Sequence, residues 1–222
     1  MGKRLILVVV LLAAACGPAA STAAPPSAPV AVTPLPTPAT SGDTSLEAAL
    51  AGRRSVREFD DRPLTAAELG QLLWAAQGIT DPRGYRTAPS AGALYPLEIY
   101  VATAGGLYHY QPARHALAVV GRSDVRQALY QAALRQAAVS QAPAVFVIAA
   151  VYERTAIKYG AERSPRYVHL EAGHAAQNIL LQAVTLGLGA VPIGAFDDEA
   201  IQEAMGLPAE EQPLYVIPVG RP

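Results

Sequence analysis

The chain has 222 residues, a formal net charge of −1 and a hydrophobic fraction of 51%. This length predicts one domain with an appendage, and the balanced charge excludes the basic surface that a general nucleic-acid partner requires. The single cysteine, Cys16, excludes an intrachain disulfide, so the domain must be held together by packing.

The first fifteen residues have the layout of an export signal. Lys3 and Arg4 are positive, residues 5–12 are apolar, and residues 13–15 are alanines. The apolar run is too short for a bilayer-spanning helix, which needs about 20 residues. Small residues directly before Cys16 resemble a bacterial lipobox, which implies cleavage before Cys16 and acylation of its thiol. The alternatives are a plain secretory signal with an incidental cysteine and a misassigned start codon.

Residues 16–44 are dominated by Pro, Ala, Thr and Ser and contain few large apolar side chains. Such a composition cannot bury enough surface to fold, and it predicts an extended tether. We therefore expect a folded domain over residues 45–222, held off a membrane surface by a lipid on Cys16. The predicted location is the bacterial cell envelope, on the outer side of the cytoplasmic membrane.

A short helix predicted over residues 46–52 leads into a basic segment that contains Arg53, Arg54, Ser55 and Arg57. Guanidinium groups donate paired hydrogen bonds to phosphate and serine adds a hydroxyl, so this segment is a candidate anion site. The alternative is a solvated basic turn, in which the arginines pair with the acidic residues at positions 58, 60 and 61.

A loop over residues 86–96 is rich in Ser, Gly, Pro and small residues. It lies between a helix predicted over residues 64–78, in which Thr65 and Glu68 form a capping box, and a strand with period-two alternation over residues 97–102. A loop of this composition can line a ligand site on a rigid scaffold, and it can equally be an ordinary turn.

The second half of the chain alternates further strands and helices. Strands are predicted at residues 107–110, 117–120, 143–151, 190–194 and 214–219, and helices at residues 123–139, 152–160, 167–187 and 198–205. The continuous apolar run at 143–151 predicts a strand that is covered on both faces. Lys158 and Tyr159 stand at the end of the second of these helices.

The helix over residues 167–187 carries His169, Glu171 and His174. Glu-x-x-His on one helix face occurs in di-iron bundles, where a second such motif and further carboxylates complete the site. No second Glu-x-x-His exists here, so we expect no metal. The alternative that we favour is a set of polar groups closing a pocket or a helix interface.

Five short motifs, in this order and spacing, resemble the nitroreductase-type flavoprotein family. They are Arg-Arg-Ser-x-Arg at 53–57, Pro-Ser-Ala-Gly at 89–92, Gly-His-x-x-Gln-Asn at 173–178, Gly-Leu-Gly-x-x-Pro-Ile-Gly at 187–194 and the terminal Gly-Arg-Pro. The runs at 86–92, 158–160 and 171–178 are most similar to the SagB/ThcOx-type dehydrogenase branch. The resemblance covers residues 48–222.

The resemblance implies an FMN site assembled from four parts of the chain. The FMN phosphate and ribityl chain would be held by Arg53, Arg54, Ser55 and Arg57, with Arg221 reaching the same phosphate. Pro89, Ser90 and Ala91 would lie against the flavin from the other subunit of a homodimer. Pro192, Ile193, Gly194 and Ala195 would run under the isoalloxazine ring, where their backbone N–H groups can meet the N5 edge.

In azoline dehydrogenases of the SagB/ThcOx-type branch, a Lys-Tyr pair serves the proton-removal step, and Lys158 and Tyr159 match it by type and position. A tyrosine can relay a proton and a partly desolvated lysine can act as a base. The alternative is an ordinary Lys-Tyr pair at a helix end. Relatives in this branch often carry extra N-terminal domains, which the predicted tether replaces here.

Together these features predict an α+β domain, with a mostly antiparallel central sheet flanked by helices, that forms a homodimer with FMN at the interface. The predicted activity is an FMN-dependent oxidoreductase that passes hydride or electrons through flavin N5 in a ping-pong cycle. Its substrate would be a small-molecule or peptide-derived redox compound, and outside the membrane it would lack NAD(P)H, which favours substrate oxidation or a quinone-linked role. The alternatives are a non-catalytic flavin-binding lipoprotein and a metal-binding lipoprotein.

Overall fold

The computed structural model describes residues 1–2 and 31–222. The rest of the predicted export signal, Cys16 and the first half of the predicted tether lie outside the described residues. No helix in the described part of the chain is both long enough and apolar enough to cross a membrane.

The described chain folds into seven strands and seven α-helices. The strands are β1 (Val32–Pro34), β2 (Leu97–Thr103), β3 (Gly106–Gln111), β4 (Ala116–Gly121), β5 (Ala144–Val151), β6 (Gly189–Ala190) and β7 (Glu211–Gly220). The helices are α1 (Leu46–Gly52), α2 (Ala66–Gln77), α3 (Arg126–Ala132), α4 (Ala137–Gln141), α5 (Tyr152–Tyr159), α6 (Ser164–Thr185) and α7 (Asp198–Met205).

The strands form one sheet in the order β1-β4-β3-β2-β5-β7-β6, and neighbouring strands are antiparallel throughout. β5 lies at the centre, with Ile148 opposite Ile99 on β2 and Phe146 opposite Ile217 on β7. Helices cover both faces of the sheet. The predicted α+β class with a mostly antiparallel central sheet is therefore confirmed.

The side chains of β5 are buried on both faces, as its unbroken apolar run predicts. Phe146 and Ile148 point into the core that α2 and α6 close, whereas Val145 and Val147 point into the core that α3 and α7 close. All four side chains have 0% exposure. Successive residues of a strand face opposite sides of the sheet, so a strand between two helical layers must be apolar at every position.

The end of the predicted tether is part of the folded domain. Val32 pairs with Ala118 as β1 joins β4, and the N–H of Leu35 donates to the carbonyl of His115 at 3.0 Å. The Gln71 side chain then binds the backbone of Ala39 twice, at 2.8 and 3.0 Å. The prediction that residues up to 44 form an extended tether is wrong for residues 32–39, because backbone hydrogen bonds to an edge strand need no apolar composition.

Candidate functional site

The loop over residues 86–96 holds a tightly defined conformation between α2 and β2. Gly92, Ala93 and Tyr95 have positive φ angles of 64°, 55° and 48°. The hydroxyl of Ser90 accepts a hydrogen bond from the N–H of Tyr95 at 2.9 Å, and the Tyr95 hydroxyl accepts one from the N–H of Arg86 at 3.2 Å. Non-glycine residues in the left-handed region are strained, and such strain concentrates at functional sites.

This loop touches the predicted Lys-Tyr pair at Gly92. A Cβ atom added to Gly92 would lie 3.0 Å from Nζ of Lys158 and 3.2 Å from the hydroxyl oxygen of Tyr159. α5 ends at Tyr159 because Gly160 takes a φ of 78°, and the Tyr159 ring packs on that of Tyr167 at 4.5 Å between centroids. The structure thus brings together two groups that the sequence predicted separately.

Beneath the loop lies a buried polar cluster that joins α2 to α6. The guanidinium of Arg86 donates to Oε1 of Gln77 at 2.9 Å and stacks over the Tyr95 ring at 4.3 Å. Glu171 on α6 is 2% exposed and faces Ser90, Arg86 and Gln77. Its burial raises the pKa of this carboxyl to about 7, against the opposing effect of these three neighbours. Sequence reasoning missed Gln77 and Arg86.

A second charged network fixes the far end of the loop. Arg154 donates to the Tyr95 carbonyl at 3.3 Å and forms an ion pair with Glu98, which in turn binds His109 at 2.6 Å. Although burial raises it, the pKa of Glu98 lies below its ordinary value because His109 and Arg154 stabilise the carboxylate. The loop is therefore held at both ends by partly buried charged side chains.

The predicted anion segment packs against β6. Ser55 forms a bridge with Ala190, and the N–H of Val56 donates to the Ala190 carbonyl at 3.1 Å. A Cβ atom on Gly189 would lie 2.6 Å from the Cβ of Val56, so only glycine permits this approach. β6 leads directly into residues 192–195, so the structure brings the predicted phosphate segment and the predicted ring-contacting segment together.

A groove of about 370 Å³ runs along this junction. Arg57 lines it from the basic segment and Ile193 from the segment after β6, while Gln136 lines it from the turn before α4. Nε2 of Gln136 also donates to the carbonyl of Ala195 at 2.9 Å. Gln136 therefore fixes the backbone that was predicted to run under a flavin ring, and sequence reasoning did not find it because its position depends on the break between α3 and α4.

The arginines of the basic segment are free of carboxylate partners within the described ranges, which argues against the alternative of a paired basic turn. Asp60 binds Arg62 instead. The Arg54 guanidinium donates to two nearby carbonyl groups, those of Ala51 and Arg53, at 3.0 and 2.8 Å. Arg53 and Arg57, with the exposed Ser55, keep donors for an anion, so this donor set fits a phosphate group.

Arg221 has a structural partner. Its guanidinium donates to Oε1 of Glu68 at 2.6 Å and to the Pro63 carbonyl at 3.4 Å. Glu68 also closes the predicted capping box of α2 with Thr65, so this ion pair ties the C-terminus to the start of α2. A contact between Arg221 and a phosphate stays a prediction.

The three candidate metal ligands on α6 are engaged separately. Nε2 of His169 binds the Tyr152 hydroxyl at 2.6 Å, Glu171 is buried beneath the loop, and His174 is exposed. Across residues 31–222, no three His, Cys, Asp or Glu side chains converge on one point. The geometry therefore gives the metal-binding alternative no support.

A model of the nitroreductase family matches residues 50–221. The chain belongs to the nitroreductase family. Members of this family are oxidoreductases, typically flavin-dependent and typically dimeric. The matched residues include the basic segment, the loop over residues 86–96, and both Lys158 and Tyr159.

Similar proteins agree with this membership. A protein of Methanocaldococcus jannaschii named as a nitroreductase is 49% identical over 185 residues, which is 81% of this chain and 92% of the relative. A solved nitroreductase-type structure from Ralstonia eutropha is 35% identical with a TM-score of 0.78, covering 86% of this chain and 89% of that one. A chain of the Escherichia coli microcin synthetase complex is 26% identical with a TM-score of 0.66, over 78% of this chain and 72% of that one.

Proposed function

We propose that the chain is an FMN-dependent oxidoreductase whose substrate reacts next to Lys158 and Tyr159. The observation that carries this proposal is the contact at Gly92, where the loop over residues 86–96 meets the amine of Lys158 and the hydroxyl of Tyr159. Two groups that can move a proton, placed beside a strained and firmly held loop, are suited to general acid–base work.

The cofactor assignment rests on the donor set of the basic segment. Arg53 and Arg57 would bind the FMN phosphate with Ser55, and residues 192–195, held by Gln136, would lie along the ring. Bound FMN supplies two-electron chemistry at N5 that protein side chains cannot perform. Tyr159 would hold or relay the substrate proton, and Lys158, which is exposed at the end of α5, would accept it.

The assignment to the SagB/ThcOx-type branch is the finer part of this proposal. Similarity to a chain of the microcin synthetase complex, which was solved with a truncated microcin precursor bound, supports a peptide-derived or comparable small redox substrate. In the dimer that we propose, Pro89, Ser90 and Ala91 approach the flavin of the partner subunit. Ping-pong kinetics, with parallel double-reciprocal lines for donor and acceptor, would support the two-step cycle, and intersecting lines would contradict it.

The first experiment is the visible absorption spectrum of the purified protein, with release and identification of the bound chromophore. We expect stoichiometric FMN, and we expect Arg53→Ala with Arg57→Ala to lose it. Arg114→Ala with Arg122→Ala is the matched control, because it removes the same charge from exposed sites outside the basic segment. A colourless protein that added FMN does not stabilise would overturn the proposal.

A non-catalytic flavin-binding protein is the second candidate, and the Lys-Tyr pair separates the two. Lys158→Ala and Tyr159→Phe should each lower substrate-dependent flavin reduction at least tenfold while leaving FMN bound, as expected for a general acid or base. FMN binding without turnover by any tested donor, and without any effect of these two variants, would favour the non-catalytic candidate.

We further propose that the protein is a lipoprotein of the bacterial envelope, anchored through Cys16 and supplied with FMN at export. The support is the sequence layout of residues 1–16. Radiolabelled palmitate should label the full chain and not Cys16→Ala. Unlabelled protein that remains in the cytoplasm, and that turns over rapidly with NADH, would contradict both the anchor and the quinone-linked role.

A further inference from the structure

Ser90 lies at the centre of the loop over residues 86–96 and connects it to α6. Its hydroxyl oxygen accepts the hydrogen bond from the Tyr95 N–H at 2.9 Å, so the hydroxyl hydrogen is left to donate elsewhere. The Glu171 carboxyl faces it from α6. A hydrogen bond from the Ser90 hydroxyl to this carboxyl, which is 2% exposed, would join the C-terminal end of the loop to α6.

Glu171 lies among buried polar atoms of the described chain that lack hydrogen-bond partners. Across the described residues, its Oε1 atom, Nε2 of Gln77 and Nε of Arg86 are buried polar atoms without a hydrogen-bond partner. Arg86 is the charged side chain that faces Glu171, while Lys158 and Tyr159 on α5 reach the loop two residues beyond Ser90, at Gly92. Burying a carboxyl costs free energy unless neighbouring groups form hydrogen bonds or ion pairs with it. Helix α6 itself does not require a carboxyl at this position.

We propose that Glu171 is a positioning residue of the candidate site: through the hydroxyl of Ser90, it holds the loop in the conformation that presents Gly92 to Lys158 and Tyr159. The catalytic consequence rests on the proposed function, since it concerns the same site. The loop-holding role is independent of that function and has a readout of its own, the protection of the loop amides from hydrogen exchange.

The decisive pair of variants is Glu171→Met and Glu171→Gln, measured at pH 7. Methionine keeps nearly the same volume but cannot accept the Ser90 hydrogen bond, whereas glutamine keeps an acceptor oxygen. We expect the Ala93 and Tyr95 amides to exchange at least tenfold faster in Glu171→Met while amides of β5 remain protected. Glu171→Gln should restore the slow exchange, and kcat should follow the same order with KM little changed.

Ser90→Ala tests the same link from the loop side. It should raise the Tyr95 exchange rate by itself, and adding Glu171→Met to it should cause no further change, because Glu171 acts on the loop only through the Ser90 hydroxyl. Asp124→Asn is the control, since Asp124 is a carboxylate that pairs with Arg126 at the start of α3, on the sheet face opposite to α6. This variant should leave the hydrogen-exchange rates of the loop amides unchanged.

The outcomes separate the positioning role from a packing role and from the proposed function. If Glu171→Met leaves the loop amides as protected as the wild type, or if its effect adds fully to that of Ser90→Ala, the proposal is overturned. If exchange changes as expected but no donor reduces bound FMN in any variant, the loop-holding role stands and the proposed function fails.

Discussion

At the scale of single residues, the ionisation of Glu171 should contribute to how stability depends on pH. Burial raises its pKa to about 7 in the folded chain, whereas an unfolded glutamate titrates near pH ~4.3. Because the folded pKa is the higher one, the folded chain retains a proton that the unfolded chain has lost between these values. The free energy of unfolding therefore falls as the pH rises through this window.

We expect Glu171→Gln to be more stable than the wild type at pH 8, by up to about 3 kcal/mol, and to differ little at pH 4.5. Urea denaturation at half-unit pH steps measures the difference. Glu153→Gln on the exposed side of α5 is the control, since it removes a carboxyl that is not buried. A difference between Glu171→Gln and wild type that stays constant from pH 4.5 to pH 8 would count against this account.

Gly92 has both a positive φ angle and a close side-chain contact, whereas Gly84 has only the positive φ angle, so a comparison of the two distinguishes these effects. Gly92 has a φ of 64° and its Cβ would crowd Lys158, while Gly84 has a φ of 88° and open space around it. We expect each change to alanine to cost about 1–2 kcal/mol of stability. Only Gly92→Ala should also reduce substrate-dependent turnover, at least tenfold, because it displaces the Lys158 amine. Equal kinetic losses in both variants would show that strain alone is responsible.

At the scale of elements, the contact between the basic segment and β6 depends on Gly189. Its Cβ would lie 2.6 Å from the Cβ of Val56, so Gly189→Ala should push the segment away and cost about 1–3 kcal/mol. FMN affinity, measured by quenching of flavin fluorescence, should fall at least tenfold. Adding Val56→Ala makes room for the new methyl group and should recover part of both losses; no recovery would contradict this explanation.

The sequence predicted the elements whose signals are local. The capping box of Thr65 and Glu68, the buried strand at β5 and the end of α5 at Lys158 and Tyr159 all appear as expected. The helix predicted over residues 123–139 is instead broken into α3 and α4, because Leu134 and Arg135 take positive φ angles. That break places Gln136 beside Ala195, and no local sequence pattern predicts the break.

The sequence alone could not predict the long-range contacts between polar side chains. Arg86 meets Gln77 and Glu171 only because α2 and α6 pack side by side. The spacing to His174 makes Glu171 a candidate metal ligand, whereas its neighbours in space come from the loop and from α2. Spacing along one helix indicates which residues share a face, and only the packing shows what that face meets.

At the scale of the whole molecule, residues 31–39 act as a brace between β4 and α2. A chain that begins at residue 41 loses β1 and leaves the buried Gln71 amide without Ala39. An unsatisfied buried group costs about 1–3 kcal/mol, which for a domain of this size lowers Tm by about 2–12 °C. Calorimetry of chains that begin at residues 31 and 41 makes the comparison. Equal Tm values would show that the brace contributes nothing.

The same brace has a consequence for solubility. β4 has the sequence Ala-Leu-Ala-Val-Val-Gly, without a charge or a proline between its ends, and β1 covers its outer edge with three residues that end in Pro34. At the opposite edge β6 has only two residues. Short, proline-ended edges offer few unpaired backbone groups to a second chain. Proteolytic cleavage before Leu35 would remove β1 and expose the edge of the apolar strand β4. The protein would then associate through this edge and precipitate.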